Sequence, residues 1–170
     1  METISVQGTI CPGYQIAAKG SVAFQELPSN VHKDRSVLVT ETVHRQLPHF
    51  KEAGVPDIDA MYSGTINVDI SPKVFEVLTP GYEVCCMWID GVEETFWLVA
   101  LQIVFEGCSH KGYLYYPCVS EQHTRRDTMM EILAPKIAGI AYGKQISVLV
   151  PPTISITDGD RKKENEDHTV

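Results

Sequence analysis

The chain has 170 residues, a length that suits one globular domain with a single hydrophobic core. Hydrophobic residues make up 44% of it and charged residues 21%, and the formal net charge is -8 at pH 7. That charge argues against a nucleic-acid or anionic-membrane surface, which is normally basic, but it allows a small phosphorylated ligand. The first residues lack the basic and apolar regions of a signal peptide, and the five cysteines form no C-x-x-C pair. We therefore expect a cytoplasmic protein with no nucleic-acid or membrane partner.

Most of the chain has the alternating apolar pattern of β-strands, broken by turn-forming pairs such as Pro12-Gly13, Pro80-Gly81 and Asp90-Gly91. The predicted strands span residues 4–11, 62–70, 84–89, 95–105, 110–116 and 145–150, with a further candidate at 128–133. Many short antiparallel strands with little helix favour a small closed barrel, because closure removes exposed strand edges. We predict a mainly β fold, a small closed β-barrel with one or two short helices.

Helical spacing occurs in one region, where Val43, Leu47 and Phe50 repeat every three or four residues. Pro48 lies inside this pattern, and a proline within a helix removes a backbone hydrogen bond and clashes with the preceding turn. We therefore predict a short helix that begins at Pro48 and ends at Gly54. A single helical turn is predicted at 136–140.

The composition changes only towards the C-terminal end. Residues 1–152 have the composition of one domain, whereas the run from Asp158 to Asp167 is charged and offers no apolar side chain for burial. Such a segment cannot bury enough surface to offset the entropy of ordering. We predict that residues 153–170 form a charged, disordered tail.

The strand at 62–70 carries the first candidate site. Its alternation places Ile66 and Val68 on the face towards a core, and Thr65 and Asn67 together on the other face. A hydroxyl and an amide oxygen are hard, neutral ligands, which Mg²⁺ accepts when phosphates and waters complete its octahedron. Threonine and asparagine are also common on solvated strand faces that bind nothing, so the pair alone leaves both interpretations open.

A second stretch lies further along the chain. Glu131 interrupts an apolar run, where it is either an ordinary exposed residue or a hydrogen-bond acceptor for a ligand. Taken together, Gly64-Thr65-Ile66-Asn67 and the later Glu131-Ile132-Leu133-Ala134-Pro135 resemble the motifs of the CTP-dependent riboflavin kinases, the archaeal type. The resemblance extends over about residues 4–150, nearly the whole predicted domain.

The resemblance implies a small closed six-stranded β-barrel of the cradle-loop type and transfer of a phosphoryl group from CTP to riboflavin, which gives FMN. It implies that Thr65 and Asn67 hold Mg²⁺ and that Glu131 and His123 contact the flavin. The implied nucleotide-binding residues are Gly13, Tyr14, Gln15, Ile16, Ala17 and Ala18 in a phosphate loop, and Lys136, Ile137, Ala138 and Gly139 after the second motif. Asp69, on the same strand face as Asn67, is a candidate to take the proton of the accepting hydroxyl.

Three alternatives remain open. The phosphate loop of the family is rich in glycine, because glycine lets backbone N–H groups approach phosphate closely. Gln15 and Ala17 stand at two of those glycine positions, which favours a non-catalytic flavin- or nucleotide-binding barrel as one alternative. A kinase that phosphorylates another alcohol and a purely structural barrel are the other two.

Overall fold

The protein is described by a computed structural model over residues 3–12, 22–24, 38–40, 42–89, 91–118 and 128–159. The first half contains Ile4–Cys11 (β1), Val22–Phe24 (β2), Leu38–Thr40 (β3), the helix Thr42–Glu52 (α1), Ile66–Asp69 (β4), Lys73–Val77 (β5) and Tyr82–Ile89 (β6). The second half contains Val92–Phe105 (β7), Cys108–Cys118 (β8), Met129–Leu133 (β9), Gln145–Val150 (β10) and Ile154–Asp158 (β11). A short 3-10 helix, Ile58–Ala60, lies between α1 and β4. The predicted mainly β class is confirmed.

Six strands form a ring of antiparallel pairs in the order β10-β1-β4-β9-β8-β7, and β7 pairs again with β10. Strand β6 pairs with the first half of β7, on the edge opposite β8 that β10 uses further along the strand. Strand β5 pairs with β11, and β2 pairs with β3, in two separate two-stranded sheets. The ring therefore contains as many strands as the resemblance implies for the closed barrel.

The ring strands share the larger of two hydrophobic cores. Alternate side chains join it where these strands border the core, such as Ile146, Val148 and Val150 of β10, as the period of two in a β-strand requires. Among its members, Val68, Ile103, Leu114, Ile132 and Val148 are fully buried. This alternation leaves the intervening side chains on the opposite face of the sheet, where the candidate residues Asn67 and Glu131 lie.

Helix α1 forms the second core with the neighbouring part of the sheet. Phe50 packs edge-to-face against Phe96, with ring centroids 5.5 Å apart, and against Tyr115 at 6.3 Å. The Tyr115 hydroxyl donates a hydrogen bond of 2.8 Å to Oε1 of the buried Gln46. Strand β7 contributes to both cores, which explains its nearly continuous apolar sequence.

The predicted start of the helix at Pro48 is wrong, because α1 begins at Thr42 and continues through that proline. The helical spacing of the apolar residues determines the helix despite the proline. Val43 and Phe50 are fully buried, while Pro48 is on the exposed side. The predicted end is confirmed. Gly54 has a φ of 81°, and the N–H groups of Gly54 and Val55 donate to the carbonyls of Lys51 and Phe50, which is a Schellman motif.

No helix within the described residues is long and apolar enough to cross a membrane.

The C-terminal boundary predicted after residue 152 is too early. Strand β11 pairs along its whole length with β5, and Ile154 is fully buried in the larger core. Ile156 packs partly against the same core. These two alternating isoleucines precede the charged run and hold the strand in place. Residues from 160 onward lie outside the described residues.

Candidate functional site

A groove with a volume of about 480 Å³ lies where β1 ends and β4 begins. The connection from β9 to β10 forms its other side, since β4 and β1 lie between those two strands in the ring. The groove is lined by Ile10, Cys11, Tyr62, Gly64, Thr65, Ile66, Asn67, Ala134, Pro135, Lys136, Ile137, Ile140, Ala141 and Tyr142. It therefore joins the Gly-Thr motif to the end of the Glu131–Pro135 motif, although the two are far apart in the sequence.

Backbone hydrogen bonds fix both ends of this connection against the ring. The N–H of Tyr62 donates to the carbonyl of Ala134 at 2.8 Å, just after β9. The N–H of Gly143 donates to the carbonyl of Ile10 at 2.7 Å, just before β10. The groove thus has a rigid backbone frame on both sides.

Thr65 and Asn67 are half-buried and line the groove. Val68 and Ile70 are buried in the core on the other face of the strand, as the alternation predicts. Within the described ranges, the side chains of Thr65 and Asn67 make no hydrogen bond, so both oxygens are available to a ligand. Ile66 departs from the prediction: it is only half-buried and also lines the groove, because the ring ends there.

Glu131 lies directly opposite Asn67 in the β4–β9 pair. Directly paired residues point to the same side of a sheet with Cβ atoms about 5 Å apart, so the carboxylate is a neighbour of Asn67. Cys11 is opposite Asn67 on the other side, in the β1–β4 pair. Burial and, to a lesser extent, the charge of Asp69 raise the pKa of the Cys11 thiol, which keeps it neutral. Glu131 itself is half-buried and does not line the groove.

Asp69 has a different environment from the one predicted. Its Oδ1 accepts hydrogen bonds from the backbone N–H and the hydroxyl of Ser71, at 2.9 and 2.6 Å. It lies about 7 Å along the strand from Asn67 and does not line the groove. The structure therefore does not bring Asp69 together with Thr65 and Asn67.

The four residues predicted to contact a nucleotide after the second motif divide into two pairs. Lys136 and Ile137 line the groove, whereas Ala138 and Gly139 form a turn that faces away from it. A Cβ added to Gly139 would meet Phe105 instead. The region has no helical turn, contrary to the prediction for 136–140. Lys136 is exposed and forms no ion pair with any other described residue.

The predicted phosphate-loop residues, Gly13, Tyr14, Gln15, Ile16, Ala17 and Ala18, and the predicted flavin contact His123 lie outside the described residues. Strand β1, which precedes the loop in the chain, ends in the groove at Cys11. The described ranges contain no group of three or more histidine, cysteine, aspartate or glutamate residues able to hold a metal ion. A metal in the groove would therefore depend on neutral oxygens and on a ligand's own phosphates.

Sequence reasoning missed two aromatic residues of the groove. Tyr62 and Tyr142 are 48% and 65% exposed, an unusual degree of solvent contact for large aromatic side chains. Neither side-chain hydroxyl makes a hydrogen bond with another described residue. A sequence signal existed for Tyr62, which precedes the Gly-Thr motif by two residues, but none existed for Tyr142.

No protein-family model matches the chain, and no curated protein is significantly similar to it.

Proposed function

We propose that the protein is a riboflavin kinase-like phosphotransferase with a cradle-loop barrel, and that it transfers the γ-phosphoryl group of CTP to riboflavin. The observation that carries the proposal is the groove. Thr65, Asn67 and Lys136 line one cavity, as a phosphoryl-transfer site of this family requires. The volume of about 480 Å³ lies within the range of small-molecule sites.

The donor set fits Mg²⁺ that arrives with a nucleotide. The Thr65 hydroxyl and the Asn67 amide oxygen line the same groove, Asn67 on β4 and Thr65 directly before that strand, with no competing partner among the described residues. Two neutral oxygens cannot balance a divalent charge, so phosphate oxygens would have to supply it. When bound, Mg²⁺ would neutralise negative charge that develops on the transferred phosphoryl group.

In the proposed reaction, the terminal ribityl oxygen of riboflavin forms a bond to the γ-phosphorus. The bond from that phosphorus to the β–γ bridging oxygen breaks, CDP leaves, and the hydroxyl proton passes to a base or to water. The chain contributes mainly by positioning and electrostatics. Lys136 would attract the phosphates, and Thr65 and Asn67 would fix the metal.

Glu131, beside Asn67, remains the proposed flavin contact because a carboxylate can accept a hydrogen bond from the flavin ring or the ribityl chain. Asp69 is a weaker candidate for the proton acceptor, since Ser71 already occupies one of its oxygens. We therefore assign no residue to that step.

The test is an assay of FMN formation from riboflavin, CTP and Mg²⁺ with the wild type, Thr65→Val and Asn67→Leu. Loss of one electrostatic contact in the transition state typically costs roughly 10²–10³-fold in rate. Thr65→Ser keeps the hydroxyl and should retain activity. Thr95→Val, on β7 away from the groove, is a matched threonine control that should leave the rate unchanged.

Thermal melting of each variant shows whether a loss of activity comes from misfolding or from the loss of a ligand to the metal. Substitutions at this partly solvated face should change the free energy of unfolding by only about 0.5 kcal/mol. Wild-type turnover that persists in both Thr65→Val and Asn67→Leu would exclude this metal site. An inactive wild type that still binds CTP or riboflavin in a titration would favour the non-catalytic binding protein instead.

A further inference from the structure

The two exposed tyrosines of the groove stand on opposite sides of Thr65 and Asn67. Tyr62 is held beside Ala134, at the β9 side of the ring end. Tyr142 precedes Gly143, whose N–H is bonded to Ile10, so it lies at the β10 side. Strands β4 and β1 lie between these sides, so three inter-strand spacings, about 14 Å across the sheet, separate them.

Tyr142 is the more exposed of the two, at 65%, and it shares its chain segment with Lys136 and Ile137. Apolar side chains of Ile10 and Ile140 line the same groove. An exposed aromatic ring beside an apolar wall is a surface on which a planar ring can stack. Lys136, which has no ion-pair partner among the described residues, and the side-chain oxygens of Thr65 and Asn67, which accept no hydrogen bond from that part of the chain, suit phosphate and its metal.

A ligand that carries both a planar ring and a polyphosphate is a nucleoside triphosphate. We propose that Tyr142 binds the base of the nucleotide by stacking, and so contributes to the affinity of the groove for a nucleotide. This inference rests on the proposed function, because that function supplies the nucleotide. The other planar ring in the proposed reaction belongs to riboflavin. The experiment therefore distinguishes stacking of the nucleotide base on Tyr142 from stacking of the flavin ring.

The experiment titrates the full chain with CTP, with inorganic tripolyphosphate and with riboflavin, in the presence of Mg²⁺, by calorimetry. Stacking of a base on an aromatic side chain is typically worth enough to change affinity by about fivefold or more. Tyr142→Ala should therefore weaken CTP binding by at least about fivefold and leave tripolyphosphate binding unchanged. Tyr142→Phe keeps the ring and should bind CTP as the wild type does.

Tyr62→Ala is the matched control, since it removes the other exposed aromatic ring of the groove. It should not reproduce the selective loss of CTP. The inference is overturned if Tyr142→Ala binds CTP normally, if it loses CTP and tripolyphosphate equally, if only its riboflavin binding weakens, or if the wild type binds no CTP.

Failure of this inference is distinguishable from failure of the proposed function. A wild type that forms FMN while Tyr142→Ala keeps the same KM for CTP would overturn the role of Tyr142 alone. The opposite result would be a wild type that forms no FMN, together with a Tyr142→Ala variant that loses CTP binding but keeps tripolyphosphate binding. It would overturn the kinase activity and support the base-binding role.

Discussion

Gly8, on β1, lies against the backbone and side chains at the end of β4. A Cβ added there would collide with Cγ1 of Val68 and would lie 2.9 Å from the carbonyl oxygen of Asp69. The neighbours cannot yield easily, because Val68 is fully buried and the second atom belongs to the backbone. A close approach of this kind makes glycine necessary in the strand.

We predict that Gly8→Ala lowers the free energy of unfolding by about 1–3 kcal/mol, the usual cost of overpacking a core. Urea denaturation followed by circular dichroism measures the change. Ser5→Ala, on an exposed position of the same strand, is the control and should stay within about 0.5 kcal/mol of the wild type. A Gly8→Ala variant as stable as this control would contradict the packing seen between β1 and β4.

At the residue scale, local alternation was sufficient to predict that Val68 is buried while Thr65 and Asn67 face a groove. It could not predict that Glu131 is the cross-strand neighbour of Asn67, because register depends on contacts between distant segments. Tyr142 was missed for a related reason. Its exposure follows from how the β9–β10 connection is bonded to Ile10, which no short window of sequence contains.

At the scale of elements, α1 forms because its apolar side chains pack against the sheet, although the proline inside it disfavours a helix. Pro48 removes the donor that would bond to the carbonyl of His44, and its ring crowds the preceding turn. The helix nevertheless forms because Val43 and Phe50 are buried against the sheet. Most helical stability in proteins comes from such packing rather than from propensity, which is why the sequence pattern misplaced the start.

Because Pro48 is exposed, its replacement should not disturb the second core. Alanine is favoured over proline inside a helix by about 3 kcal/mol. Replacing proline also gives the unfolded chain more conformational freedom, which lowers the free energy of unfolding by about 1 kcal/mol. We predict that Pro48→Ala raises the free energy of unfolding by about 2 kcal/mol, measured by urea denaturation. His49→Ala, the neighbouring helical position, serves as the control. A loss of stability in Pro48→Ala would indicate that α1 does not continue through residue 48.

For the whole molecule, the β class could be predicted because it depends on repeated local alternation and turns. The same patterns gave seven strand candidates and could not show which of them close the ring, since the strand predicted at 84–89 is β6, which lies outside it. The closing pair of β7 with β10, in which Ile103 lies opposite Val148, joins residues far apart in the chain. Ring closure places the β9–β10 connection across the ends of β4 and β1. The groove is therefore a product of topology, and only its Gly-Thr wall could be predicted from local sequence.

The last prediction concerns where the folded unit ends. Strand β11 contributes the fully buried Ile154 to the larger core and provides the only strand partner that β5 has within the described residues. Burial of one isoleucine side chain is worth about 1.5–3 kcal/mol. For a chain of this size each kcal/mol shifts the Tm by about 2–4 °C. The charged run after residue 159 carries no apolar side chain until its final residue.

We therefore predict that a chain ending after Gly159 keeps the wild-type Tm, whereas a chain ending after Thr153 melts several degrees lower, about 3–12 °C. Differential scanning calorimetry of both truncations and the full chain measures this. A full-length Ile154→Ala variant separates the loss of the buried side chain from the loss of the whole strand. Its Tm should lie between the Tm values of the two truncated chains. Equal melting of both truncations would mean that β11 does not stabilise the ring. A lower Tm for the chain ending after Gly159 would show instead that the charged run contributes to stability. Both its composition and the end of β11 at Asp158 predict the opposite.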